Sequence, residues 1–459
     1  MCDDLVWDPT FEELRLKKLG TGTFSSMYPR AHAVVARDTT LTPPPHPARK
    51  RKHEELFETS DPVRDNPTYI SSNTAAASCK ASGLRGIYNA GATCYQNVVL
   101  QSFLHNPILR NYYLSDGHQS GNCDTQHCLS CAMDDMFQDF YALESTNGYT
   151  AANILSGFWI SEKKAFENLV TTKEQDAHEF FQFLAEELHE RNGDGRKPEI
   201  GSEHSCNCII HQTFYGKLQS ATTCQNCGGV TNQVQSFLDL SLPLENLSQK
   251  KGGGGKKGAS KQAAAPALSL QECLDEEYIK SDKCEYRCHN CSSTQQARRQ
   301  TSIKRLPNVL SIQLKRFEYK QGRNERAAKI DTPVQFPLQL NMLPYTNRAR
   351  NANGASSSQD GGGGGGIKEN YELARSCTYD LLSVVVHVGE IDTGHYVTYC
   401  RVGDQVSSPP PTPSFTVYVC VSDQEQWFAF NDHKVELAQK SDVLNSRPYL
   451  LFYIVRSLS

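Results

Sequence analysis

Cys94 ends the run Gly86-Ile-Tyr-Asn-Ala-Gly-Ala-Thr-Cys94 and opens a stretch where Val98, Val99, Ser102, Phe103 and Leu104 recur at helical spacing. A thiol at a helix N-terminus feels backbone N–H groups and the positive end of the dipole, which lower its pKa and favour the nucleophilic thiolate. Gly86 and Gly91 allow a tight turn and close approach of a substrate. Asn89 is placed to aim a side-chain amide at an oxyanion developing on an attacked carbonyl. On this segment alone, a buried structural cysteine is an equally good reading.

A thiol nucleophile needs a base. His395, in Gly394-His-Tyr-Val-Thr-Tyr399, begins a strand-like alternation just after a glycine, so it falls at a strand edge with room beside it. In Trp427-Phe-Ala-Phe-Asn431-Asp432, two polar residues end an aromatic strand. A side-chain oxygen there is expected to accept the imidazole Nδ1–H and hold the tautomer that deprotonates the thiol.

Three cysteine clusters have metal-ligand spacing. Cys224-Gln-Asn-Cys227 and Cys288-His-Asn-Cys291 form a CxxC…CxxC set, whose four thiolates would close a tetrahedral structural zinc site with no open position. His118, Cys123, Cys128 and Cys131 supply three thiolates and an imidazole, with His127 as the rival imidazole. Cys206, Cys208 and His211 need one further ligand, which His189 or His204 would provide. None of these sites would take part in catalysis.

The elements that must position these residues come in two halves. Helical spacing dominates to about residue 190, in Cys94 to Leu104, Asp134 to Leu143 and Glu174 to Leu188. Beyond about 205 the pattern is strand-like, as in Val309 to Leu314 and Tyr379 to Val388. Helices first and strands later predict an α+β fold. Low-complexity stretches at 249–267, 351–366 and 407–414 cannot build a core and are expected to be surface insertions. The first, lying between the two CxxC halves, would be carried at the far end of a zinc ribbon. Residues 1–80 mix a helical pattern, Phe11 to Leu19, with a proline run and Arg49-Lys-Arg-Lys52, which reads as a nuclear localisation signal or a solvated linker.

A formal charge of −4 over 459 residues is too mild to argue for nucleic acid, and few aromatic residues surround the knuckles to stack bases. The apolar run Leu381 to Val386 suits a buried strand and is too short to span a membrane. With no secretory signal visible, a soluble intracellular protein is expected, in which the 17 cysteines are better used for metal than for disulfides.

The combination resembles the ubiquitin-specific proteases. The cysteine box is Gly86 to Gln101, the histidine box Gly394-His-Tyr396 with Trp427 to Asp432, and the intervening signatures Gln175-Asp-Ala-His-Glu-Phe180 and Leu314-Lys-Arg-Phe317. The resemblance runs from about Gly83 to Tyr453. It implies a papain-like thumb, palm and zinc-bearing fingers, with Cys94 as nucleophile, His395 as general base and then acid, and Asn431 as orienting residue. Asn89 and the Cys94 backbone N–H would form the oxyanion hole. Asn431 is neutral where many relatives carry aspartate, so Asp432 would contribute; Ala92 stands where asparagine is common. Asp176 and Glu179 would contact the arginine-bearing tail of ubiquitin, although acids in a first helical turn also suit the dipole by themselves. His387 to Gly394 would form a loop covering that tail.

The clusters at 118–131 and 206–211 are similar to those of the SAGA-associated histone H2B deubiquitinases. That likeness implies a nuclear protein with ubiquitin, histone H2B and SAGA deubiquitinase-module subunits as partners. Residues 1–25 resemble the end of a zinc-finger ubiquitin-protease domain, 26–80 a linker, and 83–456 the catalytic domain. A catalytically silent ubiquitin-binding scaffold is the alternative, and the intact Cys94, His395 and Asn431 set weighs against it.

Overall fold

A computed structural model describes residues 81–161, 175–192, 206–244, 267–319, 327–349, 374, 376–391, 393–402 and 426–456. The sequence expectations for residues 1–80, most of the three low-complexity insertions and His204 lie outside the described residues.

Helices come first. They are α1 (Cys94–Leu104), α2 (Pro107–Leu114), α3 (Leu129–Ala142), α4 (Ala152–Ile160), α5 (Ala177–Asn192) and α6 (Ile209–Phe214). A β-rich half follows, beginning with β1 (Gly216–Cys224), β2 (Val230–Phe237), β3 (Leu240–Pro243) and β4 (Leu268–Ser269). After the short helix α7 (Leu270–Leu274) come β5 (Asp282–Cys288), β6 (Ser293–Arg305), β7 (Val309–Lys315), β8 (Phe317–Tyr319) and β9 (Ala327–Lys329). The chain continues through β10 (Val334–Gln335), β11 (Gln339–Asn341), β12 (Thr378–Val388), β13 (His395–Val402), β14 (Gln426–Asn431) and β15 (Lys434–Ala438). Helix α8 (Lys440–Leu444) and β16 (Pro448–Val455) complete it. The expected α+β class is the observed one.

The main sheet has the order β15-β14-β13-β12-β16-β7-β3, with β11 added beside β12. Every residue of β16 is buried. Its alternation serves two cores: Leu450, Phe452 and Ile454 face the helices, while Leu451, Tyr453 and Val455 face the opposite layer. A strand covered on both faces reads as an unbroken apolar run, which also explains Leu381 to Val386 in β12. Phe452 meets Phe181 edge-on at 5.4 Å, and truncating a ring so placed costs about 3–5 kcal/mol.

Helix α1 is buried along its whole length, not amphipathic as the spacing suggested. Its polar residues are satisfied internally: Gln101 donates to the Arg85 carbonyl (2.7 Å) and Ser102 to Val98 (2.9 Å). The second helical segment begins earlier than expected, at Leu129, and the third begins at Ala177.

A separate four-stranded sheet, β2-β1-β6-β5, carries the two CxxC knuckles at the ends of its hairpins. The 249–267 insertion lies outside the described residues apart from Ala267. The flanking residues Leu244 and Leu268 are buried in the second core, with residues of β3 and β7. No helix among the described residues is long and apolar enough to cross a membrane.

Candidate active site and metal centres

Cys94 is the first residue of α1 and is buried. The turn before it is pinned by Asn89, whose Oδ1 accepts from the Thr93 backbone N–H (3.0 Å), while Thr93 Oγ1 accepts from the Ala90 N–H (2.9 Å). Gly91 takes φ +111°, which side-chain-bearing residues avoid. At Gly86 a Cβ would lie 2.3 Å from the His433 carbonyl carbon, so only glycine lets this segment close on the β14–β15 turn.

His395 opens β13 and Asn431 ends β14, as expected. Their hydrogen bond is 2.8 Å, but it uses Nε2 and not the expected Nδ1. The reason is register: β13 and β14 pair only as far as Thr398 and Phe430, so His395 lies beyond the last pair and its distal nitrogen spans the gap. With Nε2–H donating to Asn431 Oδ1, Nδ1 is left as the basic nitrogen. Asp432 Oδ2 lies 3.9 Å from the same Nε2.

Asp432 does more than its sequence position suggested. Its carboxylate accepts from Asn89 Nδ2 (3.1 Å) and from Asn97 Nδ2 (2.8 Å), while its carbonyl accepts from the Ile87 N–H (2.9 Å). It thus ties the cysteine turn to the histidine strand. Sequence reasoning missed Asn97, which follows Cys94 by three residues on the same helix face; a polar residue inside an otherwise apolar helix was the available signal.

Asp176 stands at the start of α5, which begins at Ala177, and Glu179 follows it in the first turn. Asp176 caps the helix, accepting from the His178 N–H (2.7 Å), and also accepts from the buried Tyr449 hydroxyl. Glu179 is exposed in the first turn, and partial burial beside Asp176 raises its carboxyl above the usual range. The next residue inward, His178, meets Asp239 at 3.0 Å; burial alone would raise Asp239, but this partner outweighs it and holds the carboxyl below the usual range.

Strand β12 extends through His387 and Val388, so the expected loop shortens to 389–394. His387 is buried against Phe317 and Tyr396, and burial lowers its pKa to about 4. A Cβ on Gly394 would lie 1.9 Å from His387 Nε2, which demands glycine beside His395. Lys329 donates to the carbonyls of His387 (3.1 Å) and Gly389, bracing the base of this loop.

Three groups bring their ligand atoms within 4.8 Å of one another: His118, Cys123, Cys128, Cys131; His189, Cys206, Cys208, His211; and Cys224, Cys227, Cys288, Cys291. The fold selects His118 over His127 and supplies His189 as the missing ligand. Tetrahedral zinc–thiolate bonds of about 2.3 Å would set sulfurs about 3.8 Å apart. Cys224 to Cys291 is 3.9 Å, Cys227 to Cys288 3.5 Å, and Cys206 Sγ to His189 Nδ1 3.7 Å. His118 Nδ1–H donates to Asn192 (3.0 Å), leaving Nε2 to face Cys131 at 3.2 Å, as a metal-bound imidazole requires. Burial pushes Cys208 up to about 12 and His211 down to about 4, so His211 stays neutral while a metal must displace the Cys208 proton. All three groups can hold a metal ion.

The sequence profile of the ubiquitin carboxyl-terminal hydrolase family matches residues 85–453. Probable ubiquitin carboxyl-terminal hydrolase 8 of Schizosaccharomyces pombe is 33% identical over 381 residues, covering 83% of this chain and 67% of that protein. Ubiquitin carboxyl-terminal hydrolase 22 of Homo sapiens is 31% identical over 87% of this chain and 71% of its own length. Among solved structures, a chain of the SAGA Ubp8/Sgf11/Sus1/Sgf73 DUB module bound to ubiquitin aldehyde superposes with a TM-score of 0.60 and 29% identity, over 83% of this chain and 71% of that one. With its cysteine, histidine and asparagine boxes assembled at one point, the chain belongs to the ubiquitin carboxyl-terminal hydrolases and is a thiol-dependent enzyme of that family.

Proposed function

We propose that this enzyme hydrolyses the isopeptide bond between the C-terminal glycine of ubiquitin and a lysine, with Cys94 as nucleophile. The carrying observation is the 2.8 Å contact from His395 Nε2 to Asn431, which leaves Nδ1 basic. His395 Nδ1 takes the thiol proton, and the Cys94 thiolate attacks the glycine carbonyl. The tetrahedral oxyanion is held by Asn89 and the Cys94 N–H. The imidazolium protonates the departing lysine amine as the C–N bond breaks and leaves a thioester. His395 then deprotonates water, which attacks the thioester and frees the ubiquitin carboxylate and the thiol. Asp432 orients Asn89 and stabilises the imidazolium that neutral Asn431 only orients. Asp176 and Glu179 read the basic tail of ubiquitin on the β16 side of the cleft. Zinc in the three clusters holds fingers and helices together and takes no part in the reaction.

Likeness to the Ubp8 chain supports a finer reading: histone H2B as the conjugate, assembly with deubiquitinase-module subunits, a nuclear location and a role in chromatin and transcription. The domain division into 1–25, 26–80 and 83–456 belongs to the same reading. The test is turnover of ubiquitinated nucleosomes with and without the module subunits. Cleavage enhanced by those subunits is expected; cleavage of free ubiquitin chains but not nucleosomes would refute the H2B assignment, and undiminished activity of Cys94→Ala would refute the nucleophile.

A further inference from the structure

We propose that Tyr88 and His433 form the subsite for the acceptor lysine, the leaving-group half of the conjugate. The inference rests on the isopeptidase reading above and adds a surface that specifies what ubiquitin is removed from.

The two rings stack, with centroids 5.5 Å apart and planes 25° from parallel. Tyr88 immediately precedes Asn89, and His433 immediately follows Asp432, so the pair borders the turn that holds the oxyanion donor. Sheet order decides which flank this is. Strands β12, β16 and β7 lie on one side of β13, carrying His387, Tyr449 and Gln313, and Tyr449 grips Asp176. Strands β14 and β15, with the turn between them, lie on the other side. His395 stands between. A ubiquitin tail entering along the Asp176 flank has its scissile carbonyl at Cys94, so the lysine must continue onto the opposite flank, where Tyr88 and His433 lie.

The Tyr88 ring and the His433 backbone are packed in place before any substrate arrives. The Tyr88 N–H donates to the Tyr149 carbonyl (2.9 Å), and the Tyr88 ring lies so close over Gly148 that a Cβ there would be 2.8 Å from it. The His433 backbone packs against Gly86, where a Cβ would lie 2.3 Å from its carbonyl carbon, and the His433 Cβ lies over Gly148, so the ring starts from a fixed position. Yet Tyr88 keeps 45% of its surface exposed, and His433 is exposed too. A rigid aromatic face that stays open gives contact area at small entropic cost. Its chemistry matches the four-carbon stem of a lysine. After cleavage the released ammonium can also rest on the tyrosine face.

Two substrates separate this role from simple support of the turn. One is ubiquitin joined by an isopeptide bond to the lysine of a short peptide; the other is ubiquitin methyl ester, whose leaving group has no stem. For Tyr88→Ala, the ratio of kcat/KM on the isopeptide to that on the ester is expected to fall about tenfold, the size of one aromatic contact. Tyr88→Phe should keep the ratio, and His433→Ala should lower it less. An unchanged ratio in Tyr88→Ala, or an equal loss on both substrates, overturns the subsite. A wild-type enzyme that cleaves the ester but not the isopeptide overturns the isopeptidase reading instead.

Discussion

Replacing Asp432 by alanine should harm this enzyme at least as much as replacing Asn431, although Asn431 makes the shorter contact with His395. The carboxylate accepts two amide hydrogen bonds, from Asn89 at 3.1 Å and Asn97 at 2.8 Å, and lies 3.9 Å from His395 Nε2. A lost oxyanion donor costs about 10²–10³ in kcat. Asn89 keeps its second tether, the Thr93 N–H at 3.0 Å, so part of its orientation survives. The expected loss for Asp432→Ala is therefore about a hundredfold in kcat with KM little changed, because the affected contacts act in the transition state. Asn431→Ala removes one neutral hydrogen bond, of about 1 kcal/mol, and should cost about fivefold. The assay is steady-state turnover of a ubiquitin C-terminal fluorogenic amide. Because Asp432 works partly through Asn89, adding Asp432→Ala to Asn89→Ala should slow the enzyme by less than Asp432→Ala does in the wild type, the remainder being its support of the imidazolium. Asp432→Gly separates backbone from carboxylate: residue 432 sits at φ +50°, which glycine adopts freely, so this variant should fold at least as stably and be as slow as Asp432→Ala. Near wild-type kcat in either variant, or losses that multiply in the double, would refute the reasoning.

Lys329→Met removes the ammonium that ties the carbonyls of His387 and Gly389; KM for ubiquitin substrates should rise about tenfold, and amide exchange across 389–394 should speed up. Zinc analysis should return three ions per chain, one for each cluster, and a chelator should strip the fingers site first, because Cys227 is exposed there while no ligand of the other two groups is exposed. Burial lowers His105 from 6.5 to about 4, so between those values the unfolded chain binds a proton that the folded chain refuses. Stability is then full above pH 6.5 and falls as pH drops towards 4, by about 2 kcal/mol between pH 7 and 5. Urea unfolding of His105→Gln at the two pH values should show a correspondingly flatter acid limb.

Local order explains what the sequence made legible. Cys94 at a helix start and His395 at a strand start are fixed by patterns of period 3.6 and 2 that each segment carries in itself. The CxxC pairs are legible for the same reason, since each knuckle supplies two ligands from one turn. What the sequence left open or missed depends on how distant segments meet. The choice of Nε2 follows from where β13 and β14 stop pairing. The choice of His118 and His189 follows from the packing of α3, α5 and α6. Burial all around α1 follows from its place between the helical layer and the sheet, and so does the role of Asn97.

Residues 86–89 and 431–433 show how far that limit reaches into function. They are 343 residues apart at Asn89 and Asp432, yet they meet through a carboxylate, a backbone hydrogen bond and a ring stack. A hairpin turn of two residues would ordinarily favour glycine or asparagine where φ is positive. Here an aspartate takes that conformation, and its carboxylate is the group that both boxes need. The same turn fixes His433 against Tyr88 without further cost. The proposed oxyanion donor, imidazole support and leaving-group surface thus all hang on one tight turn, and a change there should alter rate and specificity together, while a change at Asp176 and Glu179, proposed to read the ubiquitin tail, should act chiefly on ubiquitin affinity.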